Sequence, residues 1–197
     1  MENKVKKIGF DLDGVILDNT IFKVEKYKEV YNQNFEDWQL SSNIIDEYVP
    51  DKEMRRHIGD LASARNFTKI LDENCISVLN RLKENGYELY IVSRRGKSDN
   101  GQKAARESIN QLDINKYFND IFLCESEQEK INTIIDNKID IFIDDRVGVV
   151  EGIYEKITLP LLFDNFGLVK KNLIKIKYPI KQVKNFKEIE REVFKNE

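Results

Sequence analysis

Short apolar runs recur along this chain, each giving way to a polar loop and then to a stretch of helical periodicity. That alternation leaves few architectures open. Val5-Lys6-Lys7-Ile8-Gly9-Phe10 reads as a strand ending at Asp11. From Phe67 to Leu82, apolar residues at 67, 70, 71, 75, 78, 79 and 82 follow the i, i+3, i+4 spacing of a helix buried on one face. Gly86 punctuates its end, and Tyr87-Glu88-Leu89-Tyr90-Ile91-Val92 follows as a second strand. The pattern then repeats: helix 102–112, strand 121–123, helix 130–135, strand 139–143, a helix from Val147, strand 159–163 and a closing helix 186–193. Strands that alternate with helices are joined by crossovers, which sets them side by side and parallel. The expected fold is α/β, a doubly wound parallel sheet.

One stretch breaks the rhythm. Residues 18–66 are polar and helix-leaning, with Trp38, Tyr27, Tyr31 and Phe35 but no comparable strand. They read as a small helical insertion after the first strand, dividing the core into residues 1–17 and 67–197. A chain of 197 residues suffices for one domain carrying such an insertion. With 41% hydrophobic and 34% charged residues it has the composition of a folded protein rather than a disordered one. Its 32 basic and 35 acidic residues are interspersed and leave no broad basic field, so nucleic acid is not an expected partner. Cys75 and Cys124 lie far apart, match no metal-ligand spacing and read as small buried thiols in a reducing compartment. The charged start is unlike a signal peptide, and no apolar run reaches membrane-spanning length. A cytoplasmic protein without a membrane partner is expected.

Ligands of open α/β sheets bind at the carboxyl ends of the strands. The residues just past the expected strands form a consistent set. Asp11-Leu12-Asp13-Gly14 follows the first, Ser93-Arg94-Arg95 the second, and Asp144-Asp145 the strand 139–143; Lys130 opens the helix before that strand. Carboxylates at i and i+2 place Asp11 and Asp13 close together, and Asp144 and Asp145 add further oxygen ligands. Mg²⁺, a hard cation that keeps several waters, suits such a set. Without a cation the carboxylates repel, and at least one tends to protonate. Ser93 and Lys130 supply the donors and positive charge that an anionic substrate needs, and Gly14 lets backbone N–H groups approach a phosphate. One Asp can then attack phosphorus to give an acyl-phosphate. A second can protonate the leaving oxygen and later deprotonate the hydrolytic water.

Phe10-Asp11-Leu12-Asp13-Gly14-Val15 resembles the first signature of the haloacid dehalogenase (HAD) superfamily of phosphohydrolases. Ser93 resembles the second signature, Lys130 the third and Ile143-Asp144-Asp145 the fourth, in the family's order over about residues 5–150. The resemblance implies that Asp11 is the nucleophile and Asp13 the general acid and base. It gives Ser93 a hydrogen bond to the phosphoryl oxygens, Lys130 a grip on both nucleophile and phosphate, and Asp145 a place on magnesium. Asp144 stands where many members carry glycine. Members that cleave carbon–halogen bonds lack the second aspartate, so Asp13 implies phosphate chemistry. The resemblance also implies that the insertion is a cap that shields the site and selects the substrate. Ile143-Asp144-Asp145-Arg146, Leu161-Leu162-Phe163-Asp164-Asn165 and Val183-Lys184-Asn185-Phe186-Lys187-Glu188-Ile189 are similar to the 5'(3')-deoxyribonucleotidase branch.

Each residue also has a plainer reading. DxDG occurs in ordinary turns, Asp144-Asp145 can cap the helix after it, and Lys130 competes with surface lysines such as Lys138. Arg94, Arg95 and Lys97 form a basic loop that either binds a second anionic part of the substrate or is a solvated turn. Trp38 and the tyrosines read as the core of the insertion, His57 as no ligand, and Lys170 to Lys175 as an exposed segment. The set together predicts a magnesium-dependent phosphomonoesterase for a small phosphorylated metabolite. A nucleoside monophosphate comes first and a sugar phosphate second. The alternative of another class is a regulatory module that binds phosphate without turnover.

Overall fold

The computed structural model describes residues 6–195. Six strands form one parallel sheet in the order β3-β2-β1-β4-β5-β6. They are β1 (Lys7–Phe10), β2 (Glu88–Ser93), β3 (Asp120–Leu123), β4 (Ile141–Asp144), β5 (Leu159–Phe163) and β6 (Lys181–Val183). Helices α4 (Cys75–Glu84), α5 (Asp99–Gln111), α6 (Glu127–Asp136), α7 (Val147–Ile153) and α8 (Phe186–Phe194) make the crossovers and the closing element. Three α-helices, α1 (Thr20–Tyr31), α2 (Ile45–Tyr48) and α3 (Lys52–Ser63), lie between β1 and α4.

The sheet is covered on both faces, so its strands read as nearly continuous apolar runs, yet alternate residues still go to different helices. Ile8, Phe10, Leu89, Ile91, Ile141 and Ile143 pack with Val78, Leu79 and Leu82 of α4 and with Phe186, Ile189 and Val193 of α8. Tyr90, Val92 and Phe142 face the other way, against Ile131 and Ile134 of α6 and Val149 and Ile153 of α7. Gly9 makes room for the second layer: a Cβ there would lie 2.6 Å from the Phe142 ring.

Two sequence expectations are corrected. Residues 67–74 are not helical; they are the return path of the insertion. Asp18 N–H donates to the Lys69 carbonyl and Leu71 N–H to the Ile16 carbonyl, both at 2.9 Å, and Leu17 and Ile70 form an antiparallel bridge. Phe67 is buried in the core from this extended segment, so its agreement with helical spacing is coincidental. The helix starts only at Cys75, after a turn in which the Asp72 carboxylate accepts from Asn74 N–H at 2.8 Å. The strand β6 was not expected. Lys181-Gln182-Val183 is three residues long with only Val183 buried, and it pairs with β5 at the sheet edge. Val5, expected in the first strand, lies outside the described residues.

The stretch 18–66 builds its own apolar cluster from Tyr27, Phe35, Leu40, Val49 and Ile58. Trp38 meets Tyr48 edge-on with ring centres 5.4 Å apart, and Lys171 Nζ lies 6.0 Å from the Trp38 ring centre.

Candidate active site

Asp11 follows β1 directly, and its N–H donates to the Ile143 carbonyl at 2.9 Å, extending the pairing with β4 by one residue. The chain then folds tightly. Ile16 and Leu17 N–H groups both reach the Leu12 carbonyl, at 3.1 and 2.8 Å. Gly14 has φ of +80°, and a Cβ there would come within 2.8 Å of Asp145 Oδ2. Glycine is therefore required for both the backbone conformation and the space.

Lys130 lies in the first turns of α6, whose start is capped by Ser126 Oγ accepting from Glu129 N–H at 3.1 Å. It is 1% exposed. Its Nζ is 2.6 Å from Asp11 Oδ1 and 2.7 Å from Asp144 Oδ2. A buried ammonium is tolerated only when paired, and here it has two carboxylates. Burial alone would lower the Lys130 pKa, but Asp11 and Asp144 outweigh it and hold the amine protonated. Lys138, by contrast, is exposed.

Asp11, Asp144 and Asp145 can each bring a carboxylate oxygen within 4.8 Å of the others. Burial pushes the Asp11 pKa up to about 7; Lys130 pulls it down, while Asp144, Asp145 and Asp13 push it up. Asp145 is raised to about 6, by burial and by Asp144, against the opposing charges of Lys23, Arg146 and Lys130. Carboxylates that gather at this cost are a fitting donor set for a hard divalent cation. Asp144 does not cap α7, whose N-cap is Arg146: fully buried, it accepts from Arg146 N–H at 2.9 Å and braces Lys130.

Asp13 and Ser93 sit on the β2 side. Ser93 ends β2, 1% exposed and in register with Leu123. The Asp13 carboxylate, grouped with the metal ligands on sequence grounds, lies outside the acidic cluster. Arg95 holds it through Nε–Oδ2 at 2.7 Å and Nη2–Oδ1 at 2.6 Å. A guanidinium fork satisfies both oxygens, which removes the reason for that side chain to seek a cation. Arg95 is 2% exposed while Arg94 stands in solvent, so the basic loop is neither wholly a solvated turn nor a free anion site.

The insertion supplies residues that sequence reasoning missed. Asn43 Nδ2 donates to the Asp145 carbonyl at 2.7 Å, and Asn43 Oδ1 accepts from Val147 N–H at 3.0 Å. A cleft beside this contact is lined by Gly14, Asn19, Lys23, Asn43, Asp145 and Asp164. No local pattern marks Asn43 or Lys23, because their importance comes from folding the insertion back over the sheet.

No family model matches the chain, and no curated protein matches it by sequence. Solved structures do. A predicted phosphatase from Clostridium acetobutylicum superposes with a TM-score of 0.66 at 16% identity, covering 97% of this chain and 99% of that one. A HAD-hydrolase of Bacillus subtilis bound to magnesium gives 0.60 at 14% identity, covering 98% and 100%. The L-2-haloacid dehalogenase of Xanthobacter autotrophicus gives 0.58 at 10% identity, covering 96% and 98%. The fold is that of the HAD superfamily. Within that HAD fold, the carboxyl ends of β1, β2 and β4 carry Asp11, Ser93 and Asp144, and Lys130 reaches in from α6. No helix among the described residues is long and apolar enough to cross a membrane.

Proposed function

We propose that the protein is a magnesium-dependent phosphomonoesterase that works through a phosphoryl group carried on Asp11. The observation that carries this reading is the Asp11–Lys130 contact at 2.6 Å, with a second carboxylate, Asp13, two residues away on the other side of the site. An Asp11 oxygen forms the new P–O bond as the ester P–O bond breaks, and Asp13 passes a proton to the leaving oxygen. Water then attacks phosphorus while Asp13 takes its proton, releasing phosphate and restoring Asp11. Lys130 holds Asp11 oriented and offsets the charge on the transferred group. Asp11 and Asp145 would hold Mg²⁺, which when bound supplies further neutralisation of phosphoryl charge. The solved structures of this fold include a phosphatase and a dehalogenase; Asp13 favours phosphate, since a carbon–halogen bond gives a leaving group that needs no proton.

The insertion, residues 18–66, acts in this reading as a cap over the core of residues 1–17 and 67–197. Lys23 and Asn43 face the cleft beside Asp145 and favour a small metabolite with more than its phosphate to bind. A nucleoside monophosphate is the first substrate class and a sugar phosphate the second. Trp38 is occupied by Tyr48 and Lys171, so the aromatic residues of the insertion favour a structural role over base stacking. Free, buried Cys75 and Cys124 suit a reducing cytoplasm.

The test is phosphate release from a generic ester and a panel of nucleoside monophosphates and sugar phosphates, with Mg²⁺ and with chelator. Magnesium-dependent release that disappears in Asp11→Asn is expected. Undiminished turnover in that variant rules out the covalent route, and release from no ester favours the phosphate-binding module.

A further inference from the structure

The loop after β2 buries an arginine whose position no part of the reaction yet uses. Gly96 N–H donates to the Cys124 carbonyl at 2.9 Å, and a Cβ at Gly96 would lie 2.3 Å from the Leu123 carbonyl oxygen. This backbone contact presses the loop against the end of β3 and leaves Arg95 buried, although Arg94 and Lys97 are exposed. Three of its nitrogens are then engaged. Nε and Nη2 grip both oxygens of Asp13, and Nη1 donates to the Arg65 carbonyl at 2.8 Å. The Phe67 ring centre lies 5.4 Å from the guanidinium carbon. Arg65 and Phe67 both belong to the segment that leads from α3 back to the core. The guanidinium is thus fixed in a plane by the loop, by a backbone carbonyl and by a ring, and its fork fixes the plane of the Asp13 carboxylate.

We propose that Arg95 is the positioning residue for Asp13, setting the orientation from which that carboxylate serves the leaving group. This rests on the phosphatase reading. A bidentate fork constrains direction as well as distance, which a lysine cannot reproduce. Arg95 then matters most where the leaving oxygen needs a proton most. Esters with alkyl leaving groups need one; p-nitrophenyl phosphate, whose leaving group is a stable anion, needs little help.

The experiment compares wild type, Arg95→Gln, Arg95→Lys, Asp13→Asn and the Arg95→Gln/Asp13→Asn double variant on p-nitrophenyl phosphate and on an alkyl phosphate. Arg95→Gln is expected to lose about 10²-fold in kcat on the alkyl ester, in the range of a general acid's contribution, with little change in KM and a much smaller loss on the aryl ester. Arg95→Lys should recover part of that loss. In the double variant, Arg95→Gln should add little to Asp13→Asn, because the two act as one unit. Equal losses on both esters, or full additivity, overturn the proposal. A second measurement needs no turnover: the Nε–Hε nitrogen-edited NMR signal of Arg95 should move in Asp13→Asn, and an unmoved signal also overturns it. If the wild type hydrolyses neither ester, the phosphatase reading and the assignment resting on it both fail, whereas NMR still decides the pairing.

Discussion

Lys130 and Asp144 meet at 2.7 Å with almost none of either side chain reaching solvent. Asp144 therefore serves Lys130, and Lys130 serves Asp11. Breaking a buried ion pair on one side leaves uncompensated charge. Lys130→Met should cost about 3 kcal/mol of stability near neutral pH, within the range for such pairs. Chemical denaturation checks this; a midpoint equal to wild type shows that the pair contributes nothing net.

Stability of the cation-free protein should fall as pH rises. Asp11 is held at about 7 and Asp145 at about 6, against 3.8 for an ordinary aspartate. Between the unfolded and folded values the native state binds more protons than the unfolded chain, so the slope of stability with pH is negative. The contribution of these two groups is full below the unfolded value and is lost as pH passes through about 6 and 7. Thermal melts in chelator from pH 5 to 7.5 should record a falling Tm from this site, and Mg²⁺ should flatten the decline by binding the ionised carboxylates. A profile identical with and without Mg²⁺ counts against the site as a cation site.

Asn43 ties the insertion to the backbone on either side of Arg146, through the Asp145 carbonyl and the Val147 N–H. Asn43→Ala removes both bonds and frees the segment carrying Asp145. Groups that orient a metal ligand are worth about 10- to 100-fold in affinity. Calorimetric titration with Mg²⁺ should show a loss in that range for the variant, and unchanged affinity would separate the insertion from cation binding.

Gly14→Ala meets two obstacles, the φ of +80° and the Asp145 oxygen 2.8 Å from the new methyl group. The backbone strain alone is worth about 1–2 kcal/mol. The variant should lose stability and, because the methyl displaces the Asp145 carboxylate, Mg²⁺ affinity as well. Denaturation and titration together check both.

The parallel sheet was legible because both faces of β1, β2, β4 and β5 are buried, which writes each strand as an apolar run. Strand β6 was not, since a three-residue edge strand with one buried side chain leaves no pattern. The positions of Asp11, Ser93 and Asp145 could be read because strand ends are local features. The fork of Arg95 on Asp13 could not, for it joins residues 82 apart in sequence. Charge alone does not tell a buried arginine from its exposed neighbour Arg94; Gly96, which lets the loop close on β3, was the one local clue.

The paired segments around Leu17 and Ile70 bring the two ends of the insertion within backbone hydrogen-bonding distance of each other. Everything between them is a loop whose closure is already made, and the cost of closing a loop rises only slowly with its length. The seam can thus close over inserts of very different size, while the contacts that Asn43, Arg65 and Phe67 make with the core belong to this insert alone. On the proposed function, grafting a foreign insert between Asp18 and Lys69 is expected to exchange what the site selects, and any accompanying loss of turnover measures what Asn43 and Arg65 lend to the strand ends.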